Sequence, residues 1–390
     1  MTKSLKISIV GAGIGGLTAA LALKQKGHNP IIYEKADVLS ELGAGIQLSP
    51  NANKVLAHLG LMKELKQEVF EPEAFQFLHY QTGKVLAEQT LKNFSLKRYG
   101  SPNYDIHRAD LQKILLKGID KEGIEIEKGS EIIDLHQETD RAIIKTKEKV
   151  IESDIVIGAD GIHSIVRKKL WGMDQARFTG NVAWRMLVPI DSISSKFLKL
   201  NTKVWLGPKK HFVHYLVKGG NFLNCVCLVE QKNWINEDWT EKGEISELKH
   251  LFSGWHPEIQ DILKNTKPDS LYKWGLHDRL PMNKWTKGRF SLLGDAAHPM
   301  LPFVAQGAAM AIEDGLVLAS CLSTSKDIEL GLNDYENRRK FRTAKAQKTA
   351  SRNATIFHLS DFYAFFRNLV MKFFVKKIMD SFYKYDAISK

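Results

Sequence analysis

The sequence predicts an α/β protein. A dinucleotide-binding domain, assembled from discontinuous segments, carries a β-rich insertion and ends in a helical tail. Three observations carry this. An apolar run, LKISIV at 5–10, passes into a glycine cluster, an Ala/Leu-rich helical stretch and a second strand-like run, IIYEK at 31–35, which is the order of a β-α-β unit. Between about 178 and 274 the pattern changes to short alternating runs (NVAWRMLVPI, TKVWLG, FVHYLV, NFLNCVCLVE), as in an antiparallel sheet with one solvent face. From 335 to 390 the chain reads as helical, charged and aromatic.

The elements follow in order. The first helix runs to about Lys26, and Gly27 supplies its stop. Residues 51–66 read as a helix with Asn51 near its cap, and 108–120 as another. Strand-like segments fill 122–157 and end in the apolar run DIVIGAD. One helix candidate near 244–252 interrupts the β-rich stretch. FSLLGDAAH returns to a buried strand and leads into a helix over 306–321. The nucleotide domain thus comprises 1–70, 100–177 and 276–334, the β-rich substrate domain 71–99 and 178–275, and the tail 335–390.

A length of 390 residues suits two intertwined domains. The net charge of +12 at first admits nucleic acid, membrane surface and anionic ligands. Its placement narrows this. Residues 335–390 hold 13 Lys/Arg against 4 Asp/Glu, a net +9, and the remainder holds 43 against 40, a net +3. A nearly neutral body argues against a nucleic-acid-binding protein. Three cysteines exclude a disulfide framework and point to a reducing, cytoplasmic setting. Cys225 and Cys227 read as strand thiols, and with no quartet of ligands beside them no metal site is expected. The run ISIVGAGIGGLTAALAL behind Lys3 and Lys6 imitates a secretory signal, but its glycines fit strand–turn–helix better. No uninterrupted apolar run reaches the roughly 18 residues of a spanning helix.

Gly11-Ala12-Gly13-Ile14-Gly15-Gly16 fits G-x-G-x-x-G directly after an apolar strand. Gly11 permits the tight turn, Gly13 lets the backbone approach a pyrophosphate, and Gly16 lets helix and strand pack closely. Phosphate oxygens would sit at the helix N-terminus, where free N–H groups and the dipole attract anions. Glu34, followed by Lys35, ends the second strand, where a carboxylate can accept hydrogen bonds from ribose hydroxyls. The fingerprint does not choose between FAD and NAD(P).

Three further segments do: DIVIGADGIHSIVR at 154–167, GRFSLLGDAAHP at 288–299, and its continuation MLPFVAQGAAMAIEDG at 300–315. With these the sequence resembles the single-component FAD-dependent aromatic hydroxylases, the class A flavoprotein monooxygenases related to para-hydroxybenzoate hydroxylase. The closer likeness is to the branch of salicylate hydroxylase, 3-hydroxybenzoate 6-hydroxylase and 6-hydroxynicotinate 3-monooxygenase. It spans Ile7 to about Tyr335.

The resemblance implies a Rossmann-like FAD-binding domain with an inserted antiparallel substrate sheet. It implies tightly bound, non-covalent FAD, with NAD(P)H as a transient reductant. In that chemistry a flavin C(4a)-hydroperoxide hydroxylates a small salicylate- or hydroxybenzoate-like ring. Asp295, after Gly294, would hold a ribityl hydroxyl. The helix from Gln306 would aim its N-terminus at the pyrimidine side of the flavin, with Gly307 and Ala308 small enough for close approach. Asp160, Arg108 and the loop Gly43-Ala44-Gly45-Ile46-Gln47 match further flavin-side positions. Arg108 also admits a structural pairing with Asp110. Ala305 stands where many relatives carry glycine, and Gln47 where some nicotinate-type members carry histidine. No second dinucleotide fingerprint follows, so NAD(P)H would visit rather than stay; NADH and NADPH are not distinguished. The alternative substrate class is lipid-like, quinone-precursor or polycyclic.

A base that draws a phenol proton makes the ring more nucleophilic, which suits histidine. In HFVHY, strand alternation puts His211, Val213 and Tyr215 on one face and Phe212 and His214 on the other. His211 and Tyr215 are preferred over His214 as pocket residues. Arg185 suits either a substrate carboxylate or a structural contact. His298 is assigned a structural role. Pro302 and Phe303 would shape the pocket. In the tail, Leu359, Phe362, Phe366, Leu369, Phe373 and Met379 fall near one helical stripe, with Lys372, Lys376, Asp380 and Lys384 on another. The stripe is expected to pack on the flavin domain or on a second copy in a homodimer; an anionic membrane surface is the sharper alternative.

Overall fold

The computed structural model describes residues 4–39, 44–172, 176–197, 199–232, 234 and 241–389. Two sheets organise it. The six-stranded sheet has the order Thr286–Lys287, Phe290–Leu292, Ile155–Gly158, Lys6–Val10, Asn29–Tyr33 and Glu125–Glu127. Its strands run parallel except for the edge hairpin 286–292. Ile7, Ile9, Ile155 and Ile157 are fully buried, which is why these strands read as continuous apolar runs rather than alternating ones. The helices Ile14–Gln25 and Gly307–Thr324 pack on this sheet and on each other. Gly307–Thr324 is the one described helix long and apolar enough to cross a membrane, and most of it lies inside the core.

The segment expected as one helix over 51–66 forms two, Pro50–His58 and Met62–Glu68. Leu59 and Leu61, about 200° apart on a continuous helix, are both buried because the chain turns between them. Asn51 does not cap; Ser49 holds that position, and Asn51 is buried with its side chain on Gln306 and Glu313.

The seven-stranded sheet has the order Tyr272–Asp278, Arg177–Pro189, Phe222–Glu230, Lys210–Val217, Thr202–Gly207, Ala74–His79 and Val85–Thr90. All neighbours are antiparallel except 202–207 beside 74–79. The expectation of one solvent face is corrected, because both faces are covered. The outer face, with Trp184, Met186, Trp205, Phe212, Cys225 and Cys227, packs under the helices Ile245–Leu251 and Pro257–Lys264. The inner face, with Phe77, Val204, Val213, Val226 and Leu228, meets the loop 301–304 and the tail.

The tail is two helices, Ile328–Phe357 and Asp361–Tyr383. The first neutralises the flavin domain's own buried carboxylates. Arg339 bonds Glu313 and Asp314, each at 2.6 Å, and Arg342 bonds Glu313 at 2.7 Å. The terminal helix departs from expectation. Met371, Val375, Met379 and Phe382 face inward, while Phe362, Phe366, Leu369 and Phe373 of the marked stripe are exposed. The chain has two apolar faces there, and the expected stripe mixed them: Met379 belongs to the inner face, and half-buried Leu359 precedes the helix.

Candidate active site

The nucleotide cradle follows from the strand–turn–helix at the N-terminus. Gly11 has φ 105°, and a Cβ on it would lie 2.6 Å from the Ala159 carbonyl oxygen; one on Gly16 would lie 2.1 Å from the Gly11 carbonyl oxygen. Neither position tolerates a side chain. Gly13 by contrast faces open space, and Gly15 packs against Leu293. Glu34 accepts hydrogen bonds from the backbone N–H of Ala12 (2.8 Å) and Ala36 (3.0 Å), which ties the second strand to the glycine turn. Lys35 is exposed beside it.

At the same carboxyl end of the sheet, after the strand Phe290–Leu292, Gly294 donates its N–H to Asp314 at 3.1 Å. Asp295 follows in the turn Gly294–Ala296. Surrounding protein raises its carboxyl pKa against the pull of His298 and Arg108, yet the side chain is solvent-accessible and makes no hydrogen bond among the described residues. Arg108 begins the helix Arg108–Lys121 with its side chain exposed. Its alternative partner Asp110 is taken by Lys218 at 3.2 Å. His298 bonds Asp314 at 2.6 Å, and with Arg339 it holds that buried carboxyl at about 2. Asp160 is committed within the protein. It accepts from Ser164 Oγ (2.5 Å) and the Ile165 N–H (2.7 Å) at the start of the helix Ile165–Trp171.

Gly307 and Ala308 open the helix Gly307–Thr324, with Gln306 as its N-cap held by Ser49 at 3.0 Å. Ala305, just before, takes the left-handed conformation at φ 50°, which explains why glycine suits the position. Opposite this turn, Gly45 donates its N–H to Asn224 (2.7 Å) and lies against the Tyr215 ring. Gly43 lies outside the described residues.

The strand Lys210–Val217 separates the two histidines. His214 is on the outer face, 3.0 Å from Trp205 Nε1 and 3.2 Å from Glu258, whose carboxylate also meets Lys203 at 2.6 Å. A catalytic His214 is therefore corrected: the sheet stands between it and the flavin domain. His211 is on the inner face and lines a cavity of about 470 Å³. Tyr215 shares that face but supports Gly45 rather than lining the cavity, and burial pushes its hydroxyl pKa well up. Arg185 is also outside the cavity wall, stacked over Tyr272 (4.9 Å) and Trp274 (5.5 Å). Burial and the nearby Arg108 charge lower its pKa.

The cavity is walled by Phe75, Phe77, Val204 and Val213 of the sheet, by Pro302, Phe303, Val304 and Ala305, by Gln47, and by the tail residues Phe357, Met371, Val375 and Met379. His211 Nδ1 lies 2.8 Å from His358 Nε2, and His358 Nδ1 lies 3.2 Å from Glu230. Burial, with the neighbouring His358, pushes His211 well below the ordinary histidine value; burial, with Arg367, lowers His358 to about 4. Both rings are thus neutral near pH 7, and the chain of bonds fixes their tautomers. His358 gives its Nδ1–H to Glu230, accepts at Nε2 from His211 Nδ1–H, and leaves His211 Nε2 as an acceptor. That atom makes no bond among the described residues.

Sequence reading missed His358, Glu230 and Asn224. His358 had a signal: it follows a long helical pattern and precedes Ser360-Asp361, a helix start. Glu230 and Asn224 had none beyond strand parity.

The site fits FAD: the glycine cradle leaves Gly13 open, and exposed Asp295 offers a carboxylate with no hydrogen bond among the described residues. The FAD binding domain family matches residues 4–350. The chain is 36% identical over 359 residues to 6-hydroxynicotinate 3-monooxygenase of Pseudomonas fluorescens, covering 90% of this chain and 92% of that one. It is 36% identical over 378 residues to 3-hydroxybenzoate 6-hydroxylase 1 of Aquipseudomonas alcaligenes, covering 94% and 93%. The crystal structure of Klebsiella pneumoniae HpxO complexed with FAD and uric acid superposes with a TM-score of 0.88 at 26% identity, over 97% of both chains.

Proposed function

Since the chain belongs to the FAD binding domain family and is a flavin-dependent aromatic hydroxylase, we propose that it hydroxylates a monocyclic hydroxylated aromatic or heteroaromatic acid, with His211 as the substrate-side proton acceptor. The overall balance is ring C–H, O₂ and NAD(P)H with a proton giving ring C–OH, water and NAD(P)⁺. FAD, when bound, supplies the redox chemistry that activates dioxygen. The cradle 11–16 with Glu34 would hold its adenosine and pyrophosphate end, Asp295 its ribityl chain, and the N-terminus at Gly307–Ala308 the flavin ring.

The protein's own part is to seat the ring and take its proton. The open Nε2 of His211 in an apolar cavity carries this reading. A phenol hydroxyl bonded there passes its proton to Nε2, Nδ1–H moves to His358, and His358 Nδ1–H moves to Glu230, which reaches solvent. Both imidazoles end neutral and the negative charge passes from Glu230 to the phenolate, so neither ring has to hold a buried positive charge, which offsets the low basicity that burial imposes on each ring. Two arginines line the cavity; Arg367 is buried and donates to the Phe357 carbonyl at 2.8 Å, which leaves exposed Arg352 as the less committed cation for a substrate carboxylate. The relatives named for hydroxynicotinate and hydroxybenzoate support the substrate class.

The predominantly aromatic and aliphatic wall favours a second reading, a larger apolar phenol. Purified flavoprotein is tested with hydroxybenzoates, hydroxynicotinates, naphthols and prenylated phenols for stimulated NADH and NADPH oxidation with product identification. Coupled hydroxylation of a monocyclic acid is expected. Coupled product from prenylated or bicyclic phenols alone selects the second reading.

A further inference from the structure

The terminal helix Asp361–Tyr383 is amphipathic in an unusual sense, because both its faces are apolar. One face, Met371, Val375, Met379 and Phe382, closes the cavity. The other presents Phe362, Phe366, Leu369 and Phe373, which at 3.6 residues per turn fall within about 60° of arc and are 68%, 47%, 57% and 71% exposed. Tyr363 and Phe365 widen the band at 69% and 65%. Isolated exposed apolar side chains are ordinary; a contiguous aromatic band of this kind marks a contact surface.

Charge says what covers it. Exposed Lys372 and Lys376 flank one edge of the band and Lys377 the other. The tail's net charge is +9, and Arg339 and Arg342 spend theirs on buried carboxylates, whereas these lysines project outward. Two copies meeting through this face would bring like charges together. A bulky apolar band between cations complements an anionic lipid surface. The cavity reaches the same face: Val370 and Phe374 line it and are themselves 43% and 52% exposed, and exposed Arg352 joins them.

We propose that the terminal helix is a monotopic membrane contact, lying with Phe362, Phe366, Leu369 and Phe373 in the interface of an anionic bilayer, so that the cavity opens toward that interface. The proposal holds whichever ring is hydroxylated, and its test reads binding rather than turnover.

The FAD-loaded full-length enzyme is co-sedimented with vesicles of phosphatidylcholine alone and of equal parts phosphatidylcholine and phosphatidylglycerol. Binding to the anionic vesicles, weakened by salt, is expected. The combined change Phe362→Ser, Phe366→Ser, Phe373→Ser is expected to cut binding about tenfold or more, with flavin content and turnover of a water-soluble substrate retained, since none of the three lines the cavity. Lys372→Glu with Lys376→Glu, which leaves the aromatic band intact, is expected to abolish the preference for anionic vesicles. Failure of the wild type to pellet, or equal pelleting by either variant, overturns the assignment. So does a wild-type dimer in sedimentation velocity that the serine variant converts to monomer without any lipid binding, which would make the band a subunit interface.

Discussion

His211 and His214 stand on one strand, both buried and both held below the ordinary histidine pKa by burial. They differ in which side of the sheet they face. His214 enters a closed cluster with Trp205, Glu258 and Lys203, where the ionic partners are nearly inaccessible. His211 has one nitrogen bonded to His358 and the other without a partner among the described residues, beside a cavity. Burial and pKa direction therefore do not separate the histidine proposed as base from the one held in a closed cluster. The separating feature is an unspent lone pair that faces space a substrate can fill.

The sharpest way to break this comparison is to remove each ring in turn. His211→Ala is expected to lower coupled hydroxylation about 100-fold or more, the usual loss of a general base, while flavin absorbance is unchanged. His214→Ala is expected to leave turnover per bound flavin within about twofold and to destabilise the fold by about 1–3 kcal/mol, because Trp205 Nε1–H loses its acceptor. Stopped-flow product yield and urea unfolding measure the two. Equal loss of hydroxylation in both variants would end the assignment of roles by face. The outer cluster sharpens the contrast further. Lys203→Met leaves Glu258 buried without its ammonium partner and is expected to cost about 3–5 kcal/mol in urea unfolding, with hydroxylation per folded molecule retained.

Much of this arrangement could be read in the sequence, and for identifiable reasons. Glycine spacing after a buried strand is a local signal, so the cradle at 11–16 was visible. Strand parity is equally local, so the shared face of His211 and Tyr215 was visible too. What was hidden depends on distant partners. Nothing near Glu258 announces Lys203 and His214, and nothing near Glu313 and Asp314 announces Arg339. The second covered face of the sheet was hidden because the helix expected near 244–252, found at Ile245–Leu251, carries no local sign that it lies over the sheet, and its companion Pro257–Lys264 was not marked. The terminal helix misled for a different reason. Periodicity identifies an apolar stripe but not its neighbour, and here two stripes compete.

Acid acts in one direction on the buried histidines of both faces, His214 included. His358 has a folded pKa of about 4 against 6.5 for a free imidazole. Between those values the unfolded chain binds more protons than the folded one, so stability is full above pH 6.5 and falls as pH drops toward 4. The loss from His358 amounts to ~3 kcal/mol, and His211 acts in the same direction. Urea midpoints at neutral and mildly acid pH are expected to differ less in His358→Gln than in the wild type.

The smallest effect is the most discriminating, because it separates a proton path from a mere scaffold. In Glu230→Gln the amide oxygen still accepts the His358 Nδ1–H bond, so both imidazoles keep their tautomers and positions. Only the charge at the solvent end is removed, from a side chain that is 43% exposed. A charge-assisted bond at such a site is worth about 1 kcal/mol, so coupled hydroxylation is expected to fall about fivefold, with substrate KM unchanged. Since the proton must then leave through a neutral amide, the loss should shrink as external buffer base rises. A Glu230→Gln enzyme with wild-type turnover at every pH would leave His211 facing the cavity but would remove Glu230 as the exit for its proton.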